Sequence, residues 1–362
     1  MMGEEAPSLG VTITVLASSL DDAAVATCDD VVLGDAKDQV ALDALCDCVD
    51  VITFDHELVD LEQIEALEAR GVVVRPSSSA LEFAVDKAHQ RRAFSGAGLP
   101  VPRFLVVTSS RDPRLGAFLD GLREPPVVKA SRGGYDGRGV LFPQFREQAI
   151  RMIDDLTKSG EVVVEERLHL QSEVAQLIAR GTDGSVALYP LVTTVQSDAM
   201  CIEVDFPAQV TNELTTRASE LAEQIASLID AVGIVAIEFF VTSAGLFVNE
   251  IALRPHNSGH WTIEGTSTSQ FANHLLAVSG EQLGEVTPLC DCAVMVNVVG
   301  SDEPSSLELA RAVKGAYVHD YGKSWRPGRK LGHVTVLGDN ASDVHVRAWE
   351  SARAYGTRTR EA

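Results

Sequence analysis

The chain is short of positive charge for its size. Among 362 residues, Lys and Arg number 30 against 52 Asp and Glu, a formal net charge of −22. Such a surface repels phosphate backbones and argues against nucleic acid as the main partner. No run of about 18 uninterrupted apolar residues occurs, so a transmembrane helix and a membrane partner are not expected. The opening MMGEEAPSLG is acidic and has neither a basic segment nor an apolar core. A secretory signal is therefore not expected, and a cytoplasmic protein is. Cysteine is sparse: Cys28, Cys46, Cys48, Cys201, Cys290 and Cys292. Two pairs are C-x-C, not the C-x-x-C of a zinc knuckle, and reduced thiols are the expectation. A G-x-x-x-x-G-K-[ST] loop is missing, as is a G-x-G-x-x-G opening a helix after the first strand. That excludes a Walker-type phosphate loop and weakens a dinucleotide reading.

What is present reads as α/β and α+β. Residues 11–75 alternate strand candidates (12–17, 31–33, 49–54, 72–76) with helical patterns near 38–46 and 60–70, which implies a parallel sheet. A second unit opens near Asp86 with a helix to Gly96. Strands at 104–107, 126–131, 140–142 and 162–166 follow, with helices near 111–121 and 145–158. Long strands are expected over 173–180 and 186–195, a helix over 211–232, a hairpin, and a helix over 267–279. The last part holds strands at 292–300, 316–321 and 333–337, then a polar tail expected to fray from about Ala352.

Three segments carry chemistry. Residues 237–260 read IEFFVTSAGLFVNEIALRPHNSGH, two apolar strands joined by a turn at Ser243-Ala244-Gly245. Glu238 and Glu250 lie one on each strand, where a hairpin can bring them onto one face. Arg254, His256, Asn257 and His260 come directly after. Magnesium prefers oxygen ligands, commonly one or two carboxylates plus substrate phosphates, so this run points to a magnesium–nucleotide site facing an anionic substrate. Residues 126–139, PVVKASRGGYDGRG, place Lys129 on a strand before a glycine loop whose backbone N–H groups can approach phosphate oxygens. Residues 321–333, YGKSWRPGRKLGH, hold Lys323, Arg326, Arg329 and Lys330 around a Pro-Gly turn, a patch suited to a small phosphorylated ligand.

Together, RGGYDGRG (132–139), NEIALRPHNSGHWT (249–262) and YGKSWRPGRKLGH (321–333) resemble the ATP-grasp ligases. More narrowly, they resemble the 5-(carboxyamino)imidazole ribonucleotide synthase family of purine biosynthesis. FDHE (54–57) and SQFANHLLAVSG (269–280) are further matches. The resemblance implies an ATP-grasp fold in three parts: an incomplete Rossmann-like parallel α/β domain over 1–84, ATP-grasp lobes over 85–284, and a small C-terminal β-rich domain over 285–362. It implies ATP- and bicarbonate-dependent carboxylation of the amine of 5-aminoimidazole ribonucleotide through carboxyphosphate, with magnesium (manganese as the substitute), in a homodimer. Rival readings are another ATP-grasp carboxylate–amine ligase on a phosphorylated substrate, or a nucleotide-binding protein without turnover.

The resemblance also implies roles. Glu238 and Glu250 hold the metal. Lys87, Lys129, Glu165 and Glu173 serve ATP. Tyr135, Arg138, Asn257, Lys323 and Arg329 bind the ribonucleotide. Asp136, Arg254, His256 and Lys323 are the catalytic candidates, with Arg254 steadying carboxyphosphate oxygens and Asp136 or His256 handling the amine proton. The family opens with a strand and a glycine-rich turn that leads into a helix. This chain starts as if inside that helix, so the expectation is a natural start upstream.

Overall fold

Alternating apolar strands and capped helices sort the chain into three sheets. The computed structural model describes residues 1–133, 139–197, 200–302 and 305–357. The N-terminal part holds α1 (Met2–Leu9), β1 (Thr14–Ala17), β2 (Asp30–Leu33), α2 (Gln39–Cys46), α3 (Leu61–Ala69) and α4 (Ser78–Val85). Asp38 and Asp60 start α2 and α3 by accepting from the backbone N–H groups of Val40 and Glu62. β1 and β2 pair in parallel, as the alternating pattern predicts. The expected strands over 49–54 and 72–76 form only a bridge, Ile52 to Val74. A ladder needs a neighbour at strand spacing, and β1 and Ile52 instead border the same cavity.

The next lobe comprises α5 (Lys87–Gly96), β3 (Phe104–Val107), α6 (Pro113–Asp120), β4 (Val127–Ala130), β5 (Val140–Leu141), α7 (Arg146–Leu156) and β6 (Val162–Glu165). Its four-stranded antiparallel sheet has the order β3-β6-β4-β5. Val128, Val162 and Val164 point from it onto α6 and α7 in one core.

The second lobe contributes β7 (Ser172–Arg180), β8 (Val186–Leu188), β9 (Val192–Ser197), β10 (Met200–Phe206), α8 (Asn212–Ile229), β11 (Gly233–Thr242), β12 (Gly245–Ala252), α9 (Thr262–Gly265) and α10 (Gln270–Ser279). The single strand expected over 186–195 is two, β8 and β9, because Pro190 removes a ladder donor between them. Val235, Ile237, Phe239 and Val241 alternate onto the apolar face of α8, so their neighbours Ala236, Glu238 and Phe240 face the other way.

The remaining elements are β13 (Cys292–Val299), α11 (Leu307–Ala312), β14 (Ala316–Asp320), β15 (Lys330–Gly338) and α12 (Ala341–Ala354). β13, β15 and β14 continue the sheet of the second lobe in the order β12-β11-β7-β9-β10-β13-β15-β14, so one sheet runs through the boundary expected near residue 285. Ala352, the expected start of a fraying tail, is instead buried near the end of α12, and residues 358–362 lie outside the described residues. Asn340 caps that helix, and Val344, Ala348, Trp349, Ala352 and Tyr355 repeat at helical spacing onto β13 and β15. Among the described residues, no helix is long and apolar enough to cross a membrane.

Candidate active site

The β11–β12 hairpin sets the site. Its antiparallel register places Glu238 directly opposite Glu250, and a bulge just beyond makes room for Asn249, whose amide reaches Glu238 Oε2 at 3.4 Å. Glu173, on the neighbouring β7, shares their face, because Phe240 of β11 pairs with Glu173 and Glu238 with Ala175. Three carboxylates therefore crowd one patch of sheet. Burial first, then Glu250 and Glu173, push Glu238 up to about 8. Burial likewise raises Glu173. Glu250 escapes the same fate: burial opposes its charge, but the Lys87 ammonium at 2.6 Å holds it below the ordinary carboxylate range.

Lys87 comes from the first turn of α5, which Asp86 caps by accepting from the His89 N–H. One turn on, Arg91 lies on the same helix face and is fully buried. Its Nε donates to Glu165 Oε1 and its Nη2 to the Asn249 carbonyl, each at 2.6 Å. Lys129, delivered by β4, reaches Glu165 Oε2 at 2.7 Å. Burial opposes the charge of Glu165, yet Arg91 and Lys129 outweigh it and hold the group at about 2. The expected ATP residues Lys87, Lys129 and Glu165 thus meet in one charged layer between the two lobes. Arg91, which the sequence reading missed, joins that layer to β12. Its signal was the i, i+4 spacing from Lys87.

Asp86 also anchors the glycine loop. It accepts from Ser131 Oγ at 2.5 Å and from Arg132 Nε at 2.7 Å, next to the residues that begin RGGYDGRG. The expected ligands Tyr135, Asp136 and Arg138 lie outside the described residues.

Beyond β12, Arg254 donates from Nε to Glu57 Oε2 at 2.6 Å, and the Leu253 N–H reaches Glu57 Oε1. Glu57 belongs to the FDHE segment, so the N-terminal part supplies the counter-charge of this arginine. His256 begins a single helical turn and its Nδ1 accepts from the Ser258 N–H. The proton of the neutral ring therefore sits on Nε2, which faces Glu238 Oε1 at 3.8 Å. Burial, with Arg254 and Lys330, pushes His256 down to about 3. Gln270, fully buried on α10, clasps the His256 backbone, accepting from its N–H and donating to its carbonyl. An added Cβ at Gly259 would meet Leu177 at 2.3 Å and Gln270 at 2.4 Å, so both buried side chains would have to move.

Arg254, Asn257 and Lys323 border one cavity of about 2010 Å³ that also reaches Asp55 and Lys330. Lys323 Nζ lies 5.3 Å from the centre of the Tyr321 ring, and burial, Arg329 and Lys330 push its ammonium down. Arg329 turns instead to Ser324, donating to its hydroxyl at 2.7 Å. The arrangement offers two anion-binding regions flanking Glu238 and Glu250: lysines between the lobes on one side, Arg254 and the basic hairpin on the other. No cluster of three or more His, Cys, Asp or Glu side chains among the described residues forms a protein-only metal cage.

Comparison with known proteins follows the same division. The chain matches family models described as the ribonucleotide synthetase preATP-grasp domain over residues 1–85, the ATP-grasp domain over 92–271, and the phosphoribosylaminoimidazole carboxylase C-terminal domain over 293–347. It is 42% identical over 359 residues to the N5-carboxyaminoimidazole ribonucleotide synthase of Mycobacterium tuberculosis, covering 96% of this chain and 83% of that one. The crystal structure of N5-carboxyaminoimidazole ribonucleotide synthetase from Thermus thermophilus superposes with a TM-score of 0.90 at 32% identity, covering 100% of this chain and 97% of that one. The Aspergillus clavatus synthase in complex with ADP and 5-aminoimidazole ribonucleotide superposes with a TM-score of 0.86 at 27% identity, covering 98% and 95%.

Proposed function

This chain belongs to the N5-carboxyaminoimidazole ribonucleotide synthase family of ATP-grasp ligases, and from that membership we propose how its residues divide the reaction. It is an ATP-dependent carbon–nitrogen ligase that carboxylates 5-aminoimidazole ribonucleotide to N5-carboxyaminoimidazole ribonucleotide in purine biosynthesis.

ATP occupies the space between the lobes. Lys87 and Lys129 exchange their present carboxylate partners for phosphate oxygens, and Glu173 takes ribose hydroxyls. Glu165 then acts less as a nucleotide contact than as the buried counter-charge that keeps Arg91 in place once Lys129 has turned to phosphate. Glu238 and Glu250 fit a divalent cation. They oppose each other on one face, and burial together with the neighbouring carboxylates drives Glu238 towards its neutral form. Two opposed carboxylates suit magnesium shared with substrate phosphates, and Glu173, one strand over, is left to the ribose. When bound, Mg²⁺ (or Mn²⁺) supplies neutralisation of phosphate charge during transfer.

The co-substrate in this reading is bicarbonate. One of its oxygens attacks the γ-phosphorus, the bond to ADP breaks, and carboxyphosphate forms. The exocyclic amine of the ribonucleotide attacks the carboxyl carbon, phosphate leaves, and the nitrogen loses one proton. Arg254 faces the carboxyphosphate oxygens: among the described residues, Glu57 and Pro255 take its Nε and Nη1, which leaves Nη2 for substrate. In its present tautomer His256 is a donor towards Glu238, so the amine proton falls to Asp136. Lys323 and Arg329 bind the ribonucleotide phosphate, with Asn257, Tyr135 and Arg138 around the rest of the molecule. A cytoplasmic homodimer completes the proposal; the six cysteines are free thiols, as a reducing compartment requires.

One observation carries this reading: the carboxylate pair stands between a lysine-lined nucleotide cleft and an arginine fixed by Glu57. ADP release is the test. Turnover that rises with both aminoimidazole ribonucleotide and bicarbonate supports it, and ADP release indifferent to both defeats it.

A further inference from the structure

Helix α10 is the plank on which the N-terminal part rests. Three ties run along it. Ser269 Oγ donates to Glu5 at 2.6 Å, Thr53 Oγ1 meets His274 Nε2 at 2.8 Å, and Arg75 Nη1 donates to the Val278 carbonyl at 2.6 Å. Of these, the middle tie also reaches β11, because the Ile234 N–H donates to His274 Nδ1 at 3.1 Å. That bond makes Nδ1 an acceptor, so the neutral ring carries its proton on Nε2 and donates to Thr53. Both ring nitrogens are committed and the residue is fully buried. The ring also lies hard against Gly233, where φ is +113° and an added Cβ would meet Cε1 and Nδ1 at 2.9 Å. The imidazole is thus built into the start of β11.

The two partners of His274 lead to opposite sides of the site. Thr53 lies four residues before Glu57, which holds Arg254. Ile234 lies four residues before Glu238 on β11, and alternate residues of a strand share a face. We propose that His274 is a positioning residue for the carboxylation: a buried latch that fixes the segment bearing Glu57 against the strand bearing Glu238, and so sets the ribonucleotide side of the site in register with the nucleotide side. The inference rests on the division of roles given above. It requires that loosening the latch disturb the ribonucleotide side, which spans the N-terminal part, while the ATP cleft between the lobes keeps its own ties through Arg91 and Glu165.

The test uses the full chain and reads the Michaelis constants for ATP and for aminoimidazole ribonucleotide separately. Thr53→Val keeps the side-chain shape and removes the hydroxyl. His274→Asn keeps an acceptor for the Ile234 N–H and falls short of Thr53. Each is expected to raise KM for the ribonucleotide by roughly five- to ten-fold, the size of one lost neutral hydrogen bond, with KM for ATP moving by less than about two-fold. Thr53→Ser restores the hydroxyl and is expected to return KM to the wild-type value. The double variant Thr53→Val/His274→Asn is expected to be no worse than His274→Asn alone, since both break one contact. Equal rises in the two Michaelis constants, no rise in either, or additive effects in the double variant overturn the latch. Thr53→Val decides the matter even if His274→Asn does not fold. A wild-type chain whose ATP turnover ignores aminoimidazole ribonucleotide overturns the functional reading itself. A wild type that responds, with Thr53→Val unchanged from it, overturns the latch alone.

Discussion

Glu238 and Glu250 face each other across the β11–β12 hairpin, yet lean to opposite charge states. Lys87 holds Glu250 below the ordinary carboxylate range, while burial and Glu250 itself push Glu238 up to about 8. The pair therefore carries one negative charge near neutral pH and lacks a second cation. On the metal reading proposed above, a divalent ion brought in with the nucleotide would supply it and would displace the Glu238 proton.

Metal-nucleotide binding should then be linked to proton release. Below about pH 8 the proton must leave, so affinity for magnesium-ADP is expected to rise with pH and level off above about 8. One linked proton sets the limiting slope at about tenfold per pH unit. Calorimetry at pH 7 in buffers of different ionisation enthalpy should find close to one proton released. Glu238→Gln should lose both the release and the slope, and an unchanged slope in that variant would refute the linkage.

Arg91 is expected to matter for folding before catalysis. Replacing it by Met leaves Glu165 buried with Lys129 alone and strands the Asn249 carbonyl. Breaking one side of a buried charge cluster typically costs about 3–5 kcal/mol. Guanidinium unfolding followed by tryptophan fluorescence measures this, and a loss below about 1 kcal/mol would show that the layer is not a buried charge cluster in solution.

Arg254 and Glu57 should behave as a unit. Arg254→Lys keeps the charge but loses the planar fork, and kcat/KM is expected to fall about 10²–10³-fold. Glu57→Gln should cost less. The double variant should match Arg254→Lys, because the carboxylate then has no guanidinium to aim. Independent, multiplying losses would place Glu57 outside the orientation of Arg254.

Acid should weaken the fold in two stages. His274 and His256 are held by burial at about 4 and about 3, below the ordinary 6.5. The unfolded chain thus binds their protons more readily. Their contribution is whole above about pH 6.5 and fades as pH falls towards 4. Glu165, at about 2 against 4.5, contributes above about pH 4.5 and is lost as pH falls towards 2. The denaturant midpoint should therefore decline with acid from pH 6.5. In His274→Asn the decline between pH 6.5 and 4 should be shallower, with the segment below pH 4 preserved. An unaltered upper segment would contradict the assignment.

Much of this was legible in the sequence. The hairpin read correctly because period-two apolar residues flank a turn ending in Gly245, at φ +112°. The lysine strand and basic hairpin stood out as cations in an acidic chain. What stayed hidden depends on distant partners. Arg91 pairs with a residue 74 positions away and Glu57 with one 197 away, distances that local spacing does not encode. Helix α12 was overlooked because its buried stripe relies on small residues, Ala348 and Ala352, within a polar run. The N-terminal strands over 49–54 and 72–76 had the right composition, but they border a cavity rather than extend a ladder.

The most direct test follows carbon. Incubating the chain with ATP, magnesium, aminoimidazole ribonucleotide and carbon-13-labelled bicarbonate, and recording the carbon spectrum against ADP formed, distinguishes carboxylation from idle hydrolysis. The account predicts a labelled carbamate carbon on the ribonucleotide, one for each ADP released. ADP accumulating without a labelled carbamate would contradict it.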